Sequence, residues 1–362
     1  PIPGDDVFEN LLVDVEEGKT GNFDFGLGYS TEEKFGVYSE LRLRNFDLAN
    51  WPRFSGGGQQ LRLRLNVGEL RNQYYLAFTD PEIFGYPLAF GFDVFDESRE
   101  YETGLNYKES NQGLQLRLGK QLSPYVSVRT ALRYSDVDIN DYGFVLNPEI
   151  RRWGGDVTVS SLWGINRNTV DRRFDPSRGS EHDLGFEFAG FGGDNEFYRI
   201  DHDSIWYVPI DKAEKWIFSF RTREGWVEDY GDPGYVPIQY RYFAGGSSTV
   251  RGFDYREIGP TERRFFWFGD KAYVGGKLRV VQNAEIKYKI TENLRVYSFL
   301  DAGGVWRDAS DFDLGDMKYS IGAGLGFNVP RLGPIRLDYG IPLNPDADQG
   351  SGRLHLQTGL KF

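Results

Sequence analysis

Leu61-Arg-Leu-Arg-Leu-Asn-Val67 alternates apolar and polar residues without a break. A β-strand sends successive side chains to opposite faces, so this run has one apolar and one polar face. The same pattern recurs in both directions. Upstream, Phe35, Val37, Leu41 and Leu43 alternate with Tyr38, Glu40, Arg42 and Arg44. Downstream, Leu114, Leu116 and Leu118 alternate with Gln115 and Arg117, and Leu184, Phe186 and Phe188 with Gly185 and Glu187. Ala284, Ile286, Tyr288 and Ile290 alternate with Glu285, Lys287 and Lys289. The chain closes on Leu354, Leu356, Thr358, Leu360 and Phe362 against His355, Gln357, Gly359 and Lys361. No stretch stands out at helical period, so the chain reads as all-β.

Alternation alone does not separate a soluble sandwich from a membrane barrel; strand length, number and spacing do. Most candidate strands run about 9–11 residues, the length a tilted membrane crossing needs, against about 5–6 for ordinary strands. Seventeen segments look strand-like; Glu100 to Lys108 alternates poorly and is read as a loop hairpin, which leaves 16. An even number suits a closed antiparallel barrel. The turns Lys120 to Pro124, Pro209 to Glu214, Thr291 to Asn293 and Pro330 to Pro334 are short. The connections Glu97 to Asn111, Ser135 to Gly154, Glu224 to Lys277, Gly303 to Met317 and Pro342 to Gly352 include the long ones. Short turns at one end and long loops at the other are the habit of outer-membrane barrels. Phe46 to Gly58 is too long for its end, and the first two outer loops are too short. Trp51, Phe78, Tyr86, Trp163, Trp206, Tyr207, Trp216 and Trp306 are candidates for aromatic girdles at the membrane surfaces.

Composition narrows the function. The 362 residues carry a net charge of −12, 16% aromatics and no cysteine. Mean hydropathy is −0.51, and no run approaches the ~18 apolar residues of a membrane helix. The acidic balance argues against a nucleic-acid partner. Without cysteine there are no disulfides, thiolate metal sites or Cys nucleophiles. His182, His202 and His355 follow no metal spacing. Asp136-Val-Asp-Ile-Asn-Asp141 resembles the start of a calcium loop, but Asp141 stands where the glycine belongs. Gly245 to Thr249 is not a nucleophile elbow. Gly322, Gly324 and Gly326 alternate along a strand, where they leave room inside a barrel rather than forming a phosphate loop. No cofactor, metal or enzymatic activity is expected. Residues 1–20, acidic and without an initial Met, read as the last strand and exit linker of a preceding domain, with the barrel over 21–362.

The segment Glu224 to Lys277 is far longer than ordinary loops, and such loops are usually functional or disordered. Its aromatic and glycine content speaks against disorder. It contains Phe243-Ala-Gly-Gly-Ser-Ser-Thr-Val-Arg251-Gly-Phe253. An Arg among glycine and aromatics suits insertion into a polar interior, where a carboxylate must meet it. Glu285 lies on the polar face of the next strand, and Asp301 shares a face with Arg295, Tyr297 and Phe299. A solvated surface turn is the competing reading.

These residues resemble a known family. Val250-Arg251-Gly252-Phe253, followed by Ile258-Gly259-Pro260, is similar to the loop signature of the BamA family of outer-membrane protein assembly barrels. Other pieces match in order: Thr79 to Phe84, Asp175-Pro-Ser-Arg-Gly179, Phe299 to Trp306, Leu332 to Gly340 and the terminal Phe362. The resemblance implies a 16-stranded antiparallel transmembrane β-barrel with the long loop folded into the lumen and Arg251 held by Glu285 and Asp301. It also implies a weak seam between the first strand, Asn22 to Ser30, and the last, Leu354 to Phe362. Phe23, Phe25, Gly26, Gly28, Leu356, Thr358, Gly359, Leu360 and Phe362 would form that seam, loosened by its glycines. An opened strand edge can template an incoming strand through backbone hydrogen bonds. The implied partners are nascent outer-membrane β-barrel proteins, membrane lipid and, through the family's periplasmic POTRA domains, accessory lipoproteins. The implied location is the outer membrane of a Gram-negative-type bacterium. Residues 1–20 would be the remnant of the last POTRA domain. Two other readings compete: a two-partner-secretion-type polypeptide pore on the same barrel, and a soluble all-β binding or carbohydrate-active protein.

Overall fold

A computed structural model describes residues 20–102, 106–140, 155–173, 175–265, 268–329, 333–347 and 349–358. Sixteen strands close into one antiparallel barrel. In chain order they are β1 (Gly21–Ser30), β2 (Lys34–Phe46), β3 (Gln59–Gly68), β4 (Arg71–Asp80), β5 (Ala89–Tyr101), β6 (Tyr107–Ser123), β7 (Val126–Asn140), β8 (Asp156–Asn168), β9 (Gly179–Gly193), β10 (Phe197–Pro209) and β11 (Trp216–Asp229). After the two-stranded ladder of β12 (Thr261–Phe265) and β13 (Phe268–Tyr273) come β14 (Leu278–Lys289), β15 (Leu294–Trp306), β16 (Lys318–Val329), β17 (Gly333–Pro342) and β18 (Arg353–Thr358). Each barrel strand pairs with its predecessor, β11 pairs with β14, and β18 meets β1. Among the described residues the only helical turns are four of 3₁₀ type, three residues each.

Alternation sets the wall. Leu63, Leu65, Leu114, Leu116, Leu184 and Ile286 are exposed on the outside, while the residues between them face the enclosed side. Apolar side chains turned outward around a closed barrel are what lipid requires and what water would penalise. The enclosed face carries charge in pairs: Glu40 bonds Arg64 at 2.9 Å, and Asp93 bonds Arg117 at 2.6 Å. The glycines of β16 also turn inward. A Cβ at Gly322 would lie 2.3 Å from the Phe299 ring, and one at Gly324 would lie 2.5 Å from Tyr297. They give room to aromatics of the neighbouring strand, as the alternation suggests.

Several expectations change. Glu100 to Lys108 is not a separate hairpin: Glu100 and Tyr101 end β5, and Tyr107 and Lys108 begin β6. The long segment starts at Tyr230, because β11 continues to Asp229 with Trp226 and Glu228 keeping the alternation. It contains the β12–β13 ladder, which its irregular composition does not betray. Among the girdle candidates, Trp51, Tyr86, Trp163, Trp206 and Trp216 are exposed. Phe78 and Trp306 are not: Phe78 packs under Phe46 and Phe92, and Trp306 under Phe312. Tyr207 shares the inward parity of Asp203 and Arg199. Asp136 to Asn140 belong to β7, while Asp141, residues 1–19 and residues 359–362 lie outside the described residues.

Candidate functional site

The segment 230–277 leaves the end of β11 and packs on the inward face of the wall. Val250, Phe253, Ala244 and Ile258 bury together with Val281 of β14 and Val305 of β15. A close backbone approach at Gly252 makes this possible. Gly252 has φ +92, and a Cβ there would lie 2.9 Å from the carbonyl carbon of Gly340 on β17. Two glycines let the two backbones meet.

Arg251 is 3% exposed and makes three charged bonds. Its Nε donates to Asp301 Oδ2 at 2.7 Å, Nη2 to Asp301 Oδ1 at 2.6 Å and Nη1 to Glu285 Oε1 at 2.6 Å. The guanidinium carbon sits 3.5 Å from the Phe299 ring centroid. Asp301 is fully buried, and its carboxylate also accepts from Asn283 Nδ2 at 2.7 Å and from the Arg251 backbone N–H at 3.1 Å. A fork-shaped guanidinium on a buried carboxylate is the geometry in which an inserted charge is tolerated. Arg336 of β17 extends the network, bonding Glu285 at 2.6 Å and Asp338 at 2.7 Å. Arg336 and Asp338 share one face of β17, and the registers from β14 through β15 and β16 to β17 bring them to Glu285, which the linear sequence does not signal.

Five residues after Arg251 the segment is held on the far wall. Arg256 lies 3.8 Å from the ring centroids of both Tyr101 and Phe243, and its Nη1 bonds Tyr107 Oη. Arg99 stacks 5.0 Å from Tyr255 beside it. Tyr101 ends β5 and Tyr107 begins β6. β5 and β15 stand eight places apart in either direction around the sixteen-strand ring. The segment therefore touches opposite walls through two arginines.

The seam is short in the described residues. Tyr29 stands opposite Thr358 and Ser30 opposite Gln357, whereas β1 pairs with β2 over its whole length. The Tyr29 N–H donates to Thr358 Oγ1 at 3.0 Å, and the Thr31 N–H to the Leu356 carbonyl at 3.1 Å. Phe23 and Phe25 point outward, 67% and 63% exposed. Gly26 faces inward under the Tyr38 ring, and Gly28 pairs with Gly36. Gly359, Leu360 and Phe362 lie outside the described residues.

At the opposite end, the turn 169–178 carries the Asp175-Pro-Ser-Arg-Gly179 sequence inward. Asp175 meets Arg295 at 2.7 Å, Lys289 at 3.0 Å and Lys287 at 3.5 Å. Burial would raise its carboxyl, but the three cations outweigh that and hold it below the usual range. Asp171 is also held low: burial is outweighed by the Ser177 hydroxyl and the Ser177 and Arg178 backbone N–H groups. Glu214 is held low by the Ser177 hydroxyl and Arg178.

A further cluster sits on the outer face, where sequence spacing had scattered its members. His182 Nδ1 is 2.8 Å from Ser204 Oγ, His202 Nε2 is 2.7 Å from the same oxygen, and His202 Nδ1 is 2.7 Å from Glu224 Oε2. The β9–β10 register sets Ser204 opposite His182, and the β10–β11 register sets His202 opposite Glu224. Counting outward from the β9–β10 turn would have found the pairing. Ser204 is fully buried between the two imidazoles, and its strand is laddered on both sides. Among the described residues the backbone around it is taken up in the two ladders, which leaves no N–H pair there to hold an oxyanion. The chain of bonds instead satisfies polar groups that face lipid. Among the described residues no group of three or more His, Asp or Glu could hold a metal ion.

Comparison with known proteins agrees with this architecture. The chain is 29% identical over 363 residues to the outer membrane protein assembly factor BamA of Nitratidesulfovibrio vulgaris, covering 98% of this chain and 43% of that protein. It is 23% identical over 408 residues to BamA of Neisseria meningitidis serogroup B, covering 100% of this chain and 49% of that one. The chain thus spans about half the length of the curated relatives it matches. The crystal structure of BamA from Haemophilus ducreyi lacking POTRA domains 1–3 shares the fold, with a TM-score of 0.80 at 20% identity over 95% of this chain and 70% of that one. The family model of the Omp85 superfamily domain matches residues 53–362, and the chain belongs to that superfamily.

Proposed function

We propose that this barrel inserts and folds client β-barrel proteins in a bacterial outer membrane, and that it does so at the β1–β18 seam. The seam carries the reading. β1 and β18 stand at opposite ends of the described chain yet are neighbours in the ring, so no turn ties their junction. A strand edge of this kind bonds an incoming strand through its main chain, largely whatever the client's sequence. Folding of the client and burial of its apolar face would drive the process. The names of the curated relatives, assembly factors of the outer membrane, support the same reading.

The absence of cysteine makes the test clean. Register places Gln357 opposite Ser30, not Gly28, so Ser30→Cys and Gln357→Cys form the lock. In proteoliposomes the oxidised barrel should stop assembling an added client, and reduction should restore assembly. Undiminished assembly with the seam fully cross-linked would refute insertion at this edge.

A further inference from the structure

The long segment grips the two sides of the seam unequally. On the β18 side it has four holds. Gln357 Nε2 donates to Ser247 Oγ at 2.7 Å, and the Gly252 N–H donates to His355 Nε2 at 3.0 Å. Arg353 pairs with Asp254, and Gln349 Nε2 donates to the Glu257 carbonyl at 2.9 Å. On the β1 side the described residues show one hold, the Glu32 carboxylate in the β1–β2 turn. It accepts from the Ser247 hydroxyl at 2.7 Å and from the Ser247 backbone N–H. Gly246 leaves space for it, since a Cβ there would lie 2.5 Å from Glu32 Oε1. Ser247 therefore touches both edges at once, through Gln357 on one and Glu32 on the other.

We infer that the Glu32–Ser247 contact is a latch by which the long segment keeps the seam closed. This rests on the seam reading above and adds what regulates it. If β18 moves away from β1, Ser247 stays with β18, because Gln357 holds it there and Gly252 and Asp254 are held to the same strand. The bond that must break is Glu32 to Ser247, beside the short ladder of Tyr29 and Ser30. Glu32 is half-buried, and that burial raises its carboxyl above the ordinary range. Glu33 and Arg99 act on it electrostatically, and Lys34, Asp254, Glu257, Arg353 and His355 line the same cavity.

The test uses the whole chain in proteoliposomes, with Tyr29→Cys and Thr358→Cys as a reporter pair across the seam. The rate of disulfide trapping under mild oxidant reports how often the edges meet. Glu32→Ala should lower that rate at least about tenfold, the worth of a lost hydrogen bond to a charged group; Ser247→Ala keeps the backbone N–H on Glu32 and should lower it less. Together they should lower it less than twofold beyond Glu32→Ala alone, because Ser247→Ala then removes only the Gln357 bond. Gln357→Ala should change it less than twofold, since three other holds remain on that side. Altered gel mobility on heating, unchanged from the parent, verifies that each variant is folded. A trapping rate unaffected by Glu32→Ala, or additive effects of the two variants, would overturn the latch. A lowered rate with unaltered client assembly would leave the latch standing and remove the assembly reading.

Discussion

Replacing Arg251 by alanine should free the segment around it from the β14–β15 wall while leaving the barrel closed. The size follows from what each carboxylate keeps. Glu285 retains Arg336 at 2.6 Å, and Asp338 retains Arg336 at 2.7 Å. Among the described residues Asp301 loses the only cation bonded to it, and it keeps Asn283 and the backbone N–H of position 251. One buried, uncompensated carboxylate costs about 3–5 kcal/mol; with two neutral donors left to Asp301, about 3 kcal/mol is expected. At ~1.4 kcal/mol per decade this is a local opening constant raised about a hundredfold. Hydrogen exchange reads it directly: amides of Thr249 to Phe253 should exchange about a hundredfold faster, and those of β3 and β4 should not change. Arg251→Lys supplies one point charge for a bidentate fork and should fall between. Adding Asp301→Asn to Arg251→Ala removes the stranded charge and should recover part of the loss. Less than a tenfold rise in exchange, or a double variant as costly as the two single losses added, would refute the internal pairing.

Other outcomes follow from the same structure. Arg256→Leu removes cation–π contact with two rings and the bond to Tyr107, so exchange at Asp254 to Glu257 should rise by the equivalent of about 2 kcal/mol; the amides around Arg251 should not follow. Gly252→Ala forces a side chain into φ +92 against the Gly340 backbone and should destabilise the segment by about 2 kcal/mol, read by urea-dependent protease cleavage. The turn 169–178 should loosen in acid. Asp171 and Glu214 have lowered pKa values, so their stabilisation is full above about pH 5 and is lost as pH falls through the folded values. Exchange at the Ser177 and Arg178 amides, corrected for intrinsic rate, should be flat from pH 8 to 6 and rise below about pH 4; Asp171→Asn should flatten the profile.

The barrel was legible because its evidence is local. Leu61 to Val67 states its two faces in seven residues, and an even count of such runs leaves few other architectures. The polar-face placement of Glu285 and Asp301 was legible by parity, and Arg251 bonds both. What stayed hidden depends on register between distant residues. Arg256 reaches Tyr101 and Tyr107 across about 150 positions, and Ser247 reaches Glu32 across 215. His182 and His202 looked scattered because linear spacing ignores that a hairpin folds one onto the other's neighbour. The ladder of β12 and β13 was missed for the opposite reason: Thr261 to Phe265 is too short and too charged to alternate visibly.

The two arginine anchors have a mechanical consequence. A closed sheet of sixteen strands deforms most easily by ovalising, one diameter shortening as the other lengthens. A strap fixed to β14–β15 at one end and to β5–β6 at the other resists change along that diameter. It also divides the enclosed space, so the aperture left to ions is smaller than the strand number suggests. With the cross-section braced, the perimeter can lengthen only where two strands part, and β1 and β18 are neighbours that no turn joins.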